Sequence, residues 1–384
     1  MKRGMLILAV ITMLPYVAAA QQSDSQNDVE VRSAPTSENS TFPAFDSRAI
    51  LAIQTSHYSA AALAFPQATT PQQKPKSPQP APSGSEKRRT LEGSMVGYID
   101  NAIVGSQIRI RFDAAFNNQF PDRAEFFYAK CSCFRLLSPP DLDPNAPGPG
   151  PGIPKALNFQ QLYFNAEYAP NRRFSIFTQV PVRWIQPQGF HNPPNFTPFG
   201  NQAGISDVQA GVKFAAVAAE DQYLTFQLRA YFPSGDASRG LGTNHYSIEP
   251  ALLYYRRFTG RLGLESQLMF WHPIGGSAGD PTARSEGYAG DIFSYGIGPS
   301  YEVYRGERVG FTPVIELVGW RILNGFRTIP GPAVEVSGTN IVNMKFGGRT
   351  SIGTRNSVYV GYGRALTTES WYDDIVRIEY RYAF

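Results

Sequence analysis

The chain is poor in the residues on which most catalytic and cross-linked proteins depend. Its 384 residues hold 2 Cys, 4 His and 4 Trp. Two cysteines cannot build a disulfide framework for a chain of this length. The histidines, His57, His191, His245 and His272, are scattered, and no Cys/His cluster has metal-ligand spacing, so neither metal nor cofactor is expected. No stretch reaches about eighteen uninterrupted apolar residues, which excludes a membrane-spanning helix. An excess of one charge is missing as well. The formal net charge of +4 is too small to name a nucleic-acid or acidic partner. There is no phosphate-cradling loop and no nucleotide motif.

The amino terminus carries an export pattern. Lys2 and Arg3 precede an apolar run from Leu6 to Val17, and Ala18-Ala19-Ala20 form a small-residue cleavage site. Residues 1–20 are therefore expected to be a secretory signal peptide. Residues 21–104 are expected to be a Pro-rich, largely disordered periplasmic extension. Pro66, Pro71, Pro75, Pro78, Pro80 and Pro82 sit there among Gln, Ser, Thr and Lys, and only 49–65 is fairly apolar. An exported chain without a spanning helix can enter a membrane only as a closed barrel, since only a barrel pairs every backbone group.

The rest of the chain alternates with period two. At the carboxy terminus Val376, Ile378, Tyr380, Tyr382 and Phe384 share one face, while Arg377, Glu379 and Arg381 share the other. Ile108, Ile110, Phe112, Ala114 and Phe116 likewise oppose Gln107, Arg109, Arg111 and Asp113. About twelve such segments are expected, as in bacterial barrels with an even strand number. They fall at 107–116, 157–168, 172–184, 204–215, 222–232, 244–257, 261–271, 289–304, 308–320, 340–347, 351–363 and 372–384. Short connections at Pro170-Asn171, 216–221, 258–260, 305–307 and 348–350 alternate with longer ones at 117–156, 185–203, 233–243, 273–288, 321–339 and 364–371. That order fits periplasmic turns and outer loops and has no counterpart in a Greek-key sandwich. The expected fold is all-β: a transmembrane antiparallel up-and-down barrel over 105–384, in the bacterial outer membrane, with lipid around it.

If the apolar faces meet lipid, the polar faces line a lumen. That assigns Arg109, Arg111, Asp113, Glu167, Arg173, Arg183, Lys213, Arg229, Glu249, Arg257, Glu265, Glu302, Glu316, Lys345, Arg377, Glu379 and Arg381 to the interior. The signs are mixed. Such a set forms either ion-pair networks that fill the barrel or a ring that selects ions. Arg109 and Arg111 face Arg377, Glu379 and Arg381 if the first strand closes on the last. The loop 117–156 is the expected lumen insert, and its Cys131 and Cys133 are placed for a local disulfide rather than a metal site.

Two resemblances add to this reading. The segment Gly204-Ile205-Ser206-Asp207-Val208-Gln209-Ala210-Gly211-Val212-Lys213-Phe214, then Tyr231-Phe232-Pro233-Ser234-Gly235-Asp236, then Tyr246 to Tyr254 with Pro250, resembles outer-membrane proteins of the meta-pathway phenol-degradation transporter family. More distantly it is similar to the hydrophobic-compound channels. Ser234 stands where that family usually has Thr. The likeness covers about a fifth of the chain, and implies passive passage of small, hydrophobic or aromatic solutes by a monomer with no covalent chemistry. On its own chemistry, Pro233-Ser234-Gly235-Asp236 is a strand end and turn, and Asp207 sits at the same rim. The terminal Phe384, with aromatics before it, resembles the signal read by the barrel-insertion machinery. The competing readings are a non-conducting structural or surface-interaction barrel and a lipid hydrolase. The handle for the latter is Asn244-His245-Tyr246-Ser247, which resembles the His-x-Ser pair of an outer-membrane phospholipase family. Here that pair shares a face with the charged Glu249, on the lumen side, and the glycine-bearing context is missing.

Overall fold

A computed structural model describes residues 93–120, 148–149, 154–191, 199–275, 289–327 and 334–384. These residues form a closed antiparallel barrel of 12 spanning strands. In chain order the elements are β1 (Gln107–Asn118), β2 (Leu157–Asn171), β3 (Phe174–Pro187), β4 (Gln202–Ile205), β5 (Val208–Ala218), β6 (Gln222–Phe232), β7 (Tyr246–Arg257), β8 (Leu262–Ile274), β9 (Ile292–Tyr301), β10 (Tyr304–Arg305), β11 (Val309–Ile322), β12 (Phe326–Arg327), β13 (Val334–Glu335), β14 (Asn340–Ile352), β15 (Asn356–Ala365) and β16 (Asp374–Ala383). β10 pairs with β11 just beyond the end of β9, and β12 pairs with β13 as a separate small hairpin.

β4 and β5 are two parts of one spanning strand, and both pair with β3. The register changes by one residue between Val182↔Ile205 and Gln179↔Gln209. The extra residue falls at Ser206-Asp207, opposite Pro181, which has no N–H to give to the ladder. The bulge turns both Ser206 and Asp207 inward, and both are buried.

Closure runs from Gln107↔Ala383 to Phe116↔Asp374, and sets Arg111 opposite Glu379 and Asp113 opposite Arg377. The two faces separate as period two requires. Ile108, Ile110, Phe112, Phe226, Leu228, Phe232, Val376, Ile378 and Tyr380 stand exposed on the outside, whereas Asp113, Thr225, Gln227, Arg377 and Glu379 are buried inside. Long loops gather at one end and short turns at the other. Ser106 and Phe384 meet at the turn end, where the Phe384 N–H donates to the Ser106 carbonyl at 3.1 Å.

Two turns lie elsewhere than expected. The first is at Arg172-Arg173 rather than Pro170-Asn171, because the Asn171 side chain accepts from the Arg173 and Phe174 N–H groups at 2.8 and 3.0 Å. The last is at Gly353, with φ +65°, and not at 348–350. Gly347 and Gly348 stay in β14 because rings cover them: a Cβ on Gly347 would meet Tyr359 at 2.1 Å, and one on Gly348 would meet Phe311 at 2.7 Å. These glycines make room for neighbours rather than a bend.

Residues 1–92 lie outside the described residues, and with them the expected signal peptide and most of the extension. So do Cys131, Cys133 and most of the loop expected to enter the lumen. Among the described residues the segment that occupies the lumen is 93–106, most of which the sequence assigns to the extension.

Candidate functional site

Residues 93–106 carry few side chains that make polar contacts, so their backbone needs partners within the barrel. They enter at the turn end, where Gly93 lies beside Arg381. They rise to bends at 97–99 and return to Ser106, which leads into β1. Val96, Ile99, Ala102 and Val104 are all buried.

One wall supplies acceptors. Glu316 on β11 takes the N–H groups of Gly97, Tyr98 and Ile99 at 3.1, 2.8 and 2.9 Å, and the Tyr359 hydroxyl at 2.9 Å. Three successive amides converging on one carboxylate form an anion nest. Glu265 on β8 accepts from Met95 and Val96 at 2.7 and 3.3 Å, and Gln267 from Asp100 at 2.8 Å. The other wall supplies donors. Arg349 donates to the Met95 and Val96 carbonyls at 3.2 and 2.8 Å, Arg381 to Ser94 at 2.9 Å, and Arg377 to Gly97. On the returning limb Lys213 donates to the Asn101 carbonyl at 3.1 Å and Thr225 to Ala102 at 2.5 Å.

Apolar contacts complete the fit. Val96 and Ile99 pack with Val314 and Val318. They lie over Gly298 and Gly296, where an added Cβ would meet Val96 at 2.7 Å and Ile99 at 3.1 Å. Gly97 sits against the Tyr359 ring, which a Cβ there would meet at 2.2 Å. The Tyr98 ring lies under two cations, Arg377 at 4.1 Å and Lys345 at 4.4 Å.

Most of the remaining charged candidates pair with one another. Asp113 receives Arg377 at 2.6 and 2.7 Å, and Arg111 stacks on the Tyr163 ring at 3.8 Å. Glu167 accepts from Gln107, Ser175 and Lys213 at 2.7, 2.7 and 3.1 Å. Arg229 bridges Glu249, at 2.8 Å, and Asp100 of the threaded segment. Glu249 also accepts from the Tyr231 hydroxyl at 3.0 Å. Glu379 gathers Arg349 at 2.8 Å, Arg381 at 3.0 Å and Arg109 at 3.8 Å. Lys345 donates to the Tyr372 hydroxyl at 2.6 Å. Arg183 is buried beside Gln161, and Arg257 lies near the turn end with Nε on the Tyr255 hydroxyl at 3.1 Å. Arg173 lies exposed in the first turn, and Glu302 accepts from Arg305 at the turn end.

Burial tends to push the Asp100 carboxyl up. The Arg229 guanidinium overcomes this, and with Gln227 donating at 3.0 Å the carboxyl is held below the usual carboxylate range. Asp100 therefore anchors the tip of the segment as an anion.

The family-like residues form a corner at the loop end. Asp207 accepts from the Gly235 N–H at 3.1 Å and from the Thr243 N–H and hydroxyl, both at 2.8 Å. Gly235 packs so tightly that a Cβ would lie 2.4 Å from the Leu241 carbonyl, and a Cβ on Gly204 would meet Leu241 at 2.8 Å. Asp236 accepts from Ser238 at 2.6 Å, Pro233 follows the end of β6, and Pro250 faces outward on β7. His245 and Ser247 point inward and are buried, with His245 edge-on to Trp271 at 5.9 Å. A hydrolase acting on membrane lipid needs that pair on the outer surface. Among the described residues no group of acidic, His or Cys side chains is arranged to hold a metal ion.

The segment divides the interior. A cavity of about 220 Å³ toward the loops is lined by Tyr98, Arg111, Tyr163, Trp320, Trp371 and Tyr372. A second of about 400 Å³ at the turn end is lined by Ser94, Met95, Val104, Arg305, Arg355 and Arg381.

A continuous apolar exterior around a closed, charged interior is stable only in lipid. The molecule is an outer-membrane β-barrel. No protein-family model matches the chain, and no curated protein is a significant match. Solved structures do match. An outer membrane channel from Pseudomonas putida F1 is 15% identical, with 73% of this chain and 96% of that chain covered and a TM-score of 0.45. The β domain of the Bordetella autotransporter BrkA is 13% identical, covering 73% and 100%, with a TM-score of 0.42. A FadL homologue from Pseudomonas aeruginosa is 12% identical, covering 73% and 90%, with a TM-score of 0.32.

Several residues of the site are not in the sequence reading, Asp100, Thr225 and Gln267 among them. Arg349 was hidden because 348–350 reads as a turn. Gly97 and Tyr98 fall in the segment read as extension. Tyr359 looks like one more aromatic. One signal was available: the inward positions Ser294, Gly296, Gly298 and Ser300 on β9 are all small, which leaves space that something else must fill.

Proposed function

We propose that this barrel is an outer-membrane channel for passive passage of small solutes bearing apolar or aromatic groups, closed at rest by residues 93–106. One observation carries the reading. The lumen is blocked by a segment tied to the barrel covalently only at Ser106, and not by the barrel's own strands. Withdrawal of that segment toward the turn end joins the two cavities. The aromatic rings of the outer cavity, interleaved with charged groups such as Arg183, Arg229 and Glu249, favour solutes that combine flat or apolar parts with polar ones. The resemblance of Gly204–Phe214 and Tyr231–Asp236 to the phenol-degradation transporter family points the same way. Closure of β1 on β16 leaves no free edge, so the backbone needs no second copy to pair with, in keeping with a channel that works as a monomer.

The test is conductance of the purified protein in planar bilayers. The wild type is expected to be nearly silent. Gly97→Val, which drives a side chain into the Tyr359 ring, is expected to conduct. A competing reading, a non-conducting structural barrel, draws on the same filled lumen. It stands if Gly97→Val folds and remains silent.

A further inference from the structure

The lumen reads its occupant by backbone. Glu265, Glu316 and Gln267 accept main-chain N–H groups from the 93–106 segment, and Arg349, Arg377 and Arg381 donate to its carbonyls. The two sets lie on different arcs of the wall: acceptors on β8 and β11, which flank β9, and donors on β14 and β16, which flank β15. The arcs adjoin at the β11–β14 pair; over residues 94–99 the bound N–H groups turn to the first and the bound carbonyls to the second, while the Asn101 and Ala102 carbonyls turn to β5 and β6.

When the segment withdraws, buried carboxylates on one arc and guanidiniums on the other lose partners together. A hydrocarbon satisfies neither arc. A simple cation or anion satisfies one. A peptide carries the missing donors and acceptors in the same molecule, at the spacing the walls already fit. Side-chain demands are few and defined: a glycine beside Tyr359, modest apolar groups over Gly296 and Gly298, a ring under Arg377 and Lys345, and a carboxylate for Arg229. Both limbs open to the turn end, so a second peptide has access from that side.

We infer that the lumen is a polypeptide-backbone site, and that the solute class of this channel is a short peptide with glycine flanked by apolar residues and followed by a carboxylate for Arg229, which takes the place of residues 93–106. The inference rests on the channel reading, in which those residues withdraw.

The test uses the full chain carrying Gly97→Val, folded in detergent or nanodiscs, with Gly97→Val/Ile99→Asp as a second route to expelling the segment. The probe is a fluorescent synthetic peptide with the sequence of residues 93–106, added free. A matched peptide is N-methylated at the residues corresponding to Gly97, Tyr98 and Ile99, which removes the three N–H groups bound by Glu316. Anisotropy is expected to report binding of the first peptide and at least tenfold weaker binding of the second. Adding Glu316→Gln to the barrel is expected to narrow that difference. In planar bilayers the unmodified peptide is expected to block the current. Equal binding of the two peptides, or binding of neither to both expelled variants, overturns the inference. A variant that binds peptide with the expected discrimination but carries no current leaves the backbone site standing, and overturns the channel reading and the solute class drawn from it.

Discussion

Replacing Glu316 by alanine should release residues 93–106 without unfolding the barrel. In the wild type this carboxylate holds three consecutive amides, at 3.1, 2.8 and 2.9 Å, and is itself fully buried. Leaving a buried donor unpaired costs about 1–3 kcal/mol, so three give about 3–9 kcal/mol if no water enters. The shorter alanine side chain leaves space lined by polar groups that a water can enter, so the lower figure is the better guide. About 3 kcal/mol is a shift of roughly a hundredfold in the docking equilibrium. The removed carboxylate also no longer needs desolvation, which again argues for the low end. The assay is amide hydrogen exchange read by mass spectrometry on peptides spanning 93–106, with the heat-modifiable gel shift of the barrel as the folding control. Exchange at Gly97, Tyr98 and Ile99 should speed up about a hundredfold, while strand amides stay protected. If the barrel is folded and those three amides exchange as in the wild type, Glu316 does not hold the segment and the account of the lumen is wrong.

Three further outcomes are expected. Arg377→Met should destabilise the barrel by about 3 kcal/mol, the low end for a broken buried pair, because Asp113 loses both of its short contacts while buried and keeps Arg111 at 3.5 Å; the double change with Asp113→Asn should recover much of the loss in urea unfolding. Asp100 has a folded value below its unfolded one, so its stabilising contribution is complete above the ordinary carboxylate range near ~4 and is lost only as pH falls through the lower folded value. The difference in exchange at 97–99 between the wild type and Asp100→Asn should therefore be the same at pH 7 and pH 5 after correction for intrinsic rates. Phe384→Ser should lower the amount of folded barrel recovered from outer membranes while leaving the unfolding midpoint of the purified barrel nearly unchanged, since Phe384 is exposed and stacks only loosely on Tyr382, at 6.3 Å.

The fold was legible because alternation is a local property. Each residue from Gln107 to Asp113, or from Val376 to Arg381, declares its side of the wall without reference to anything distant. Turn positions were less legible because glycine has two meanings. Gly353 takes a positive φ and bends the chain, whereas Gly347 and Gly348 make room for rings that come from Tyr359 and Phe311. Only the cross-strand register tells these apart, and the misplaced turn removed Arg349 from view. The bulge at Ser206-Asp207 was hidden for the same kind of reason, since its cause, Pro181, lies on another strand. The threaded segment was the hardest feature. Its binding depends on its backbone, so Val96 to Ile99 carry almost no composition signal, and a sequence pattern registers side chains alone.

The mixed charges of the lumen make sense only with the segment in place. An isolated buried ion pair roughly breaks even, because desolvation offsets attraction. Arg349 pairs with Glu379 and then uses its remaining donors on the Met95 and Val96 carbonyls. Arg377 pairs with Asp113 and reaches Gly97, and Arg381 pairs with Glu379 and reaches Ser94. In each case the guanidinium has more donors than its carboxylate can take, and the surplus falls on the segment's carbonyls. Glu316 has no such cation as a close partner; its oxygens are filled by three amides and the Tyr359 hydroxyl. Withdrawal therefore strands acceptors and donors at once, and water in a narrow lumen replaces them incompletely. On the proposed channel reading the closed state is the resting state for that reason, and opening would require an agent that supplies the same groups or a pull from the turn end strong enough to offset their loss.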